Sequence, residues 1–132
     1  MTGHVSELDL DVEDVAEISL RMANGGIGSV HLDYFQRPPA HWIKINCKKG
    51  AVHWDNDTGI AKIYRVDGED WEVIPPPEGF ERNTLFLDEM RHFLALVNGE
   101  IDSHCNLEDG IAALKLTEAV HQSAKRDSVV RV

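Results

Sequence analysis

The sequence predicts an α+β domain: a large, mostly antiparallel open sheet with helices packed on one face. Three observations carry that prediction. Residues 15–74 fall into alternating apolar and polar runs joined by short turn signals. Two later stretches carry apolar stripes at helical spacing. Strands come first and helices second, so the helices collect together instead of alternating with the strands.

Val5 to Leu10 reads as a short edge strand beside the acidic run Glu7, Asp9, Asp11, Glu13 and Asp14, and charge on an edge discourages aggregation. In Val15 to Met22, Ala16, Ile18, Leu20 and Met22 share one face while Glu17, Ser19 and Arg21 share the other. Asn24-Gly25-Gly26 supplies a tight hairpin turn. The following strand places Val30, Leu32 and Tyr34 on one face and Ser29, His31, Asp33 and Phe35 on the other. Pro38 and Pro39 cannot donate to a ladder, so pairing is expected to stop near Arg37.

Trp42 to Cys47 alternates again, Lys48-Lys49-Gly50 turns the chain, and Ala51 to Trp54 returns. Asp55 to Gly59 is a loop by composition. Ile60 to Val66 and Asp70 to Ile74 form a third hairpin about Asp67-Gly68, making an antiparallel meander. After Pro75-Pro76-Pro77, Asn83 or Thr84 caps a helix whose stripe is Phe86, Met90, Phe93, Leu94 and Val97, ended by Asn98-Gly99. Asn106 with Asp109 forms a capping box for a second helix to about Lys125. That helix is apolar around much of its circumference, so it is expected to be well buried. Ser128 to Val132 reads as a last strand. Trp42, Trp54, Trp71, Tyr64 and Phe35 exceed what two helices can cover, which points to a second copy of the chain on the open sheet face.

The 132 residues suit one domain, 1–132. A net charge of −10 argues against nucleic acid or an anionic membrane as partner, since both need a basic footprint. Cys47 and Cys105 form no CxxC and read as free thiols of a reduced, cytoplasmic protein. No apolar run is long enough to span a membrane. The first residues lack the basic and apolar regions of a signal peptide, and read as mid-protein sequence.

Most chemical motifs dissolve on inspection. GGIGS lacks the third glycine of a dinucleotide fingerprint and lies between two strands. Asp88 and His92 share a helical face as an ion pair. His31 and Asp33 share a strand face, but two ligands make no zinc site, and no metal or catalytic residue is assigned. A third reading is a small sugar-processing enzyme using His31 and Asp33. What remains is polar side chains where rigid elements break off: Tyr34, Gln36 and Arg37 after the long strand, Arg82 and Asn83 where the first helix begins. An arginine at a helix N-terminus opposes the helix dipole unless an anion is near.

DVEDVAEISLRMANGGIGSVHLDYFQRPP resembles the opening strands of the C-terminal domain of the Gfo/Idh/MocA oxidoreductases. IKINCKKGAVHWD is similar to their glycine-containing hairpin, with Asn46 and Cys47 where a glycine is common. FLDEMRHFLALVNGE is similar to their E-x-x-x-F helix, and LEDGIAALKLTEAVHQSAKRDSVVRV to their ending. The resemblance implies the sheet half of an NAD- or NADP-dependent dehydrogenase, which shapes a pocket for a sugar, nucleotide-linked sugar or polyol and makes homo-oligomer contacts through its open sheet face. The Rossmann fingerprint, the Glu-Lys-Pro motif with its catalytic lysine, and the acid/histidine helix of the family are absent from these residues. The resemblance therefore implies a fragment without a cofactor of its own, inactive in isolation, with Tyr34, Gln36, Arg37, Arg82 and Asn83 as candidate substrate-binding residues. The alternative is a stand-alone, non-enzymatic module that binds or dimerises through its sheet.

Overall fold

A computed structural model describes residues 1–132. The strands are β1 (Thr2–Gly3), β2 (Val15–Arg21), β3 (Ile27–Asp33), β4 (Trp42–Cys47), β5 (Gly50–Asp55), β6 (Ala61–Arg65) and β7 (Trp71–Ile74). The helices are α1 (Arg82–Val97) and α2 (Leu107–Arg126). The α+β class holds, with antiparallel, open sheets. There are two sheets, ordered β1-β2-β3 and β4-β5-β6-β7, in place of one broad sheet. The chain forms two compact units: Met1–Gln36 with Ser103–Val132, and Arg37–Asp102. No helix is long and apolar enough to cross a membrane.

In the first unit, β2 and β3 pair from Val15↔Asp33 to Arg21↔Ile27. The hairpin is closed where the Met22 N–H donates to the Gly26 carbonyl at 2.8 Å, with Gly25 at a φ of +86°. The ladder ends at Asp33, short of Arg37. The Asp33 carboxylate accepts the N–H groups of Phe35 (2.9 Å) and Gln36 (2.5 Å), so those groups have a local partner instead of a strand.

Asp14 displaces the expected edge strand in the same way. Its carboxylate accepts the N–H groups of Val5 (2.9 Å) and Ser6 (2.8 Å) and the Ser6 hydroxyl, so Val5 to Leu10 has no strand, and the short β1 takes the edge beside β2. Burial alone would raise the Asp14 pKa. The Ser6 hydroxyl and the two N–H groups outweigh it, with His4 adding, and lower it to about 2. This contribution to stability is present above the ordinary 3.8 and is lost as pH falls through about 2.

The capping box of α2 forms as read: the Asn106 side chain accepts from the Asp109 N–H at 2.9 Å, and the Asp109 carboxylate accepts from the Asn106 N–H at 3.0 Å. Burial of this helix does not follow. Only Ala119 along it is buried, because its main packing partner is the two-residue β1, while Leu107 and Leu114 stay exposed. Beyond Asp127, in the left-handed region at a φ of 49°, residues 128–132 form no strand; Ser128 bonds back to Ser123 instead.

In the second unit, β4 to β7 form the expected meander. Directly paired residues share a face, so the register sorts the side chains. Ile43 pairs Trp54 and Ile45 pairs Val52, while Tyr64 pairs Trp71. Trp54 therefore lies on the face opposite Trp42, and the tryptophans do not form one patch. The Tyr64 and Trp71 rings sit 5.7 Å apart, a cross-strand pair worth about 0.5–1 kcal/mol. Helix α1 begins at Arg82, with Glu81 at the N-cap rather than Asn83 or Thr84; the Thr84 hydroxyl accepts the Glu81 N–H at 3.2 Å. The Asp88 carboxylate pairs with Arg91.

Gly50 is the tightest point of the meander. A Cβ there would lie 1.9 Å from the Tyr64 carbonyl oxygen. Gly50→Ala is expected to cost about 3 kcal/mol or more, since rigid backbone must move. Urea unfolding followed by circular dichroism measures the loss.

Candidate functional site

The second unit carries a cleft of about 270 Å3. Its apolar lining is Pro76, Phe80 and Leu85. Its polar lining comes from Asn56, Asp57 and Thr58 in the loop after β5, and from Arg82 at the start of α1. An adjoining depression adds Trp54.

Local chemistry builds this loop. The Asp55 carboxylate accepts the Thr58 N–H at 2.9 Å and the Thr58 hydroxyl at 2.7 Å, and the same hydroxyl accepts the Ile60 N–H at 3.3 Å. The Thr58 hydroxyl, then its N–H, hold the Asp55 carboxyl below the ordinary 3.8 against partial burial, with His53 adding. Gly59 follows at a φ of +67°, where a Cβ would meet the Pro76 Cβ at 3.1 Å. Glycine thus serves both the left-handed backbone and the close approach to Pro76. The Phe80 N–H donates to the Pro77 carbonyl at 3.0 Å and turns the chain toward α1.

The loop and helix leave three polar side chains at this cleft uncommitted. The Asn56 amide, the Asp57 carboxylate and the Arg82 guanidinium have no hydrogen-bond or ion-pair partner in the chain. Opposite charges thus line one small cavity without neutralising each other. Such a cavity, part apolar with a few available polar groups, is suited to a small polar ligand.

Of the residues singled out in the sequence, Arg82 lines this cleft and its neighbour Asn83 does not. Arg37 belongs to the same unit, while Tyr34 and Gln36 belong to the other. Tyr34 is 70% exposed, and its N–H donates to the Asp14 carbonyl at 3.1 Å. Asn56, Asp57 and Phe80 went unread in sequence. Their signal was the turn chemistry of Asp55, Thr58 and Gly59, but its approach to Pro76 has no periodicity to reveal it.

The first unit holds a second cluster. On the β2–β3 face, Nδ1 of His31 bonds the Glu17 carboxylate and Nε2 bonds Asp33 at 2.7 Å. Two carboxylates ask both ring nitrogens to donate, which only the imidazolium can do. Glu17 first and Asp33 second raise the His31 pKa above 6.5, against a smaller effect of burial. Burial pushes the Asp33 carboxyl up, but the His31 hydrogen bond and the N–H groups of Gln36 and Phe35 hold it below 3.8. With both nitrogens occupied, His31 acts as a clasp and is not poised as a free base. No group of three or more His, Cys, Asp or Glu converges to hold a metal ion.

The model of the Gfo/Idh/MocA oxidoreductase family, C-terminal alpha/beta domain, matches residues 2–132. The chain belongs to that family. Comparison with curated proteins and with solved structures returns no match. The Gfo/Idh/MocA family is generally NAD(P)-dependent. The glycine-rich segment Gly25–Gly28 is not a dinucleotide-binding turn: it closes a hairpin between β2 and β3 and opens no helix.

The His31 clasp has a defined pH window. A raised histidine pKa contributes stability that is full below 6.5 and lost as pH rises through the folded value; the lowered Asp33 contributes above 3.8 and is lost as pH falls through its folded value. The clasp is complete between 3.8 and 6.5. In an NMR titration, His31 is expected to titrate above 6.5, and Glu17→Gln to bring it down toward that value.

Proposed function

We propose that this domain is the substrate-side and oligomerisation part of an NAD(P)-dependent oxidoreductase acting on a sugar, a nucleotide-linked sugar or a polyol. Family membership over residues 2–132 is the observation that carries the reading. The cleft beside Arg82 supports it, because polyols need hydrogen-bonding groups beside an apolar surface, and Asn56, Asp57 and Phe80 supply both. In this reading a nicotinamide-binding domain provides the hydride acceptor, and these residues provide one wall for the carbinol substrate. The two exposed thiols, Cys47 and Cys105, suit a reduced cytoplasm. Titration calorimetry of the chain against sugars, polyols and nucleotide-linked sugars is expected to find millimolar binding for at least one, with no quenching of NADH fluorescence. Binding of NADH without sugar binding would overturn this division of labour.

The oligomer half of the reading rests on the sheet face carrying Trp42, Tyr64 and Trp71. Trp42 is 59% exposed, an expensive surface for a lone domain to leave in water. A second copy of the chain covers it in our reading, and the same face serves the alternative of a non-enzymatic dimerisation module. Sedimentation equilibrium is expected to show a dimer or larger species, and Trp42→Glu to weaken association at least about a hundredfold, as for a central aromatic anchor. A monomer at high concentration would remove the role of this face.

A further inference from the structure

We propose that the clasp on His31 is a one-sided proton switch: when the ring gives up its proton it releases Glu17 and keeps Asp33. The turn after β3 then stays closed while the side-chain tie between β2 and β3 opens. The two carboxylates are held unequally. Asp33 Oδ1 accepts the N–H groups of Phe35 at 2.9 Å and Gln36 at 2.5 Å, and its Oδ2 accepts from His31 Nε2 at 2.7 Å. The Asp33 side chain is 4% exposed, whereas that of Glu17 is 55% exposed. A neutral imidazole has one N–H, so it can serve only one of them. Water can replace the His31 bond at Glu17. Little water reaches the Asp33 oxygen, and a buried acceptor left without a donor is costly. The proton therefore leaves Nδ1, and the Nε2–H stays on Asp33.

The surrounding charges leave this asymmetry in place. Strand β2 pairs with β3, and Glu17 lies directly opposite His31. Val15, Ser19 and Arg21 share the Glu17 face, with Arg21 four positions along β2, about 13 Å away and opposite Ile27. On β3 the same face carries Ser29 and Asp33. The Met1 ammonium bonds the Glu17 backbone carbonyl at 2.6 Å. Helix α2 packs on β1, and its His121 is paired with Glu13 at 3.4 Å. Glu17 and Asp33 are thus the charges that bear directly on the ring, and both strengthen its hold on the proton. Once His31 is neutral, the two carboxylates lose their shared cation and Nδ1 becomes a free acceptor beside Glu17. The exposed sheet face changes, while the turn that leads through Gln36 to Arg37 is insulated from the change.

The test follows the His31 ring nitrogens, the Glu17 carboxyl carbon and the Phe35 and Gln36 amides of the full chain by NMR, from about pH 5 to about pH 9. Above the His31 transition the Nε2–H tautomer is expected to outweigh the Nδ1–H form at least about tenfold, the step that one unmade buried hydrogen bond implies. The Glu17 carboxyl signal is expected to move with that transition. The protection of the Phe35 and Gln36 amides against hydrogen exchange is expected to stay unchanged through it. Asp33→Asn places an amide NH2 where Oδ2 accepts, and is expected to reverse the ring to Nδ1–H, facing Glu17. A wild-type ring short of the tenfold preference overturns the proposal, as does a turn whose amides lose protection when His31 titrates. An Asp33→Asn variant that stays folded and keeps the Nε2–H form overturns it too. If that variant unfolds, the wild-type tautomer and amides decide by themselves.

Discussion

The buried carboxylate of Asp14 is the interaction on which the first unit depends. Its oxygens gather the N–H groups of Val5 and Ser6, its own N–H donates to the Gly3 carbonyl at 3.0 Å, and its carbonyl accepts from Tyr34 at 3.1 Å. One residue therefore joins the N-terminal arm, the start of β2 and the end of β3. A charge is costly to bury unless every oxygen is satisfied, and here the donors are fixed backbone groups. Remove the charge and the Val5–Ser6 arm loses its anchor, while the backbone bonds to Gly3 and Tyr34 remain.

The same device recurs through the chain. Asp33 ends β3 by accepting the N–H groups that would extend it, Asp55 folds the loop of the cleft, and Asp109 closes the start of α2. An acidic composition thus has a structural use beyond solubility. Each carboxylate replaces ladder hydrogen bonds where the chain must leave regular structure. These are also the places where candidate binding residues sit: Gln36 just after Asp33, and Asn56 and Asp57 just after Asp55. Strand ends and binding groups are coupled because the residue that stops the strand also sets the path of the next few side chains.

Energetically, neither unit is closed by itself. Asp14 and Ala119 are the buried residues, while Trp42, Leu107 and Leu114 stand in water. Hydrophobic burial at about 25 cal/mol per Å2 is the main force that orders a domain, and here much of it remains to be gained. That leaves much apolar side-chain surface exposed to water. It also explains why the capping boxes, Asx turns and hairpin glycines carry so much of the local order.

Element identity was legible in the residues themselves. Alternation in Val15 to Met22 and Trp42 to Cys47, the glycine at Gly25, and Asn106 three residues before Asp109 act over a few residues, so they determined strands, turns and caps without distant help. The family was likewise legible, because the order of four such local patterns is itself sequence. Only the tertiary structure decided the rest. It divided the strands into two sheets, denied residues 128–132 a ladder partner, and placed Trp54 and Trp42 on opposite faces through pairing register. It also brought Gly59 against Pro76 and Phe80, which made Arg82 part of a cleft with Asn56 and Asp57. The physical reason is range: propensity and capping are contests among neighbours in sequence, whereas sheet membership, burial and a binding cleft depend on which distant backbone arrives to share a hydrogen bond or exclude water.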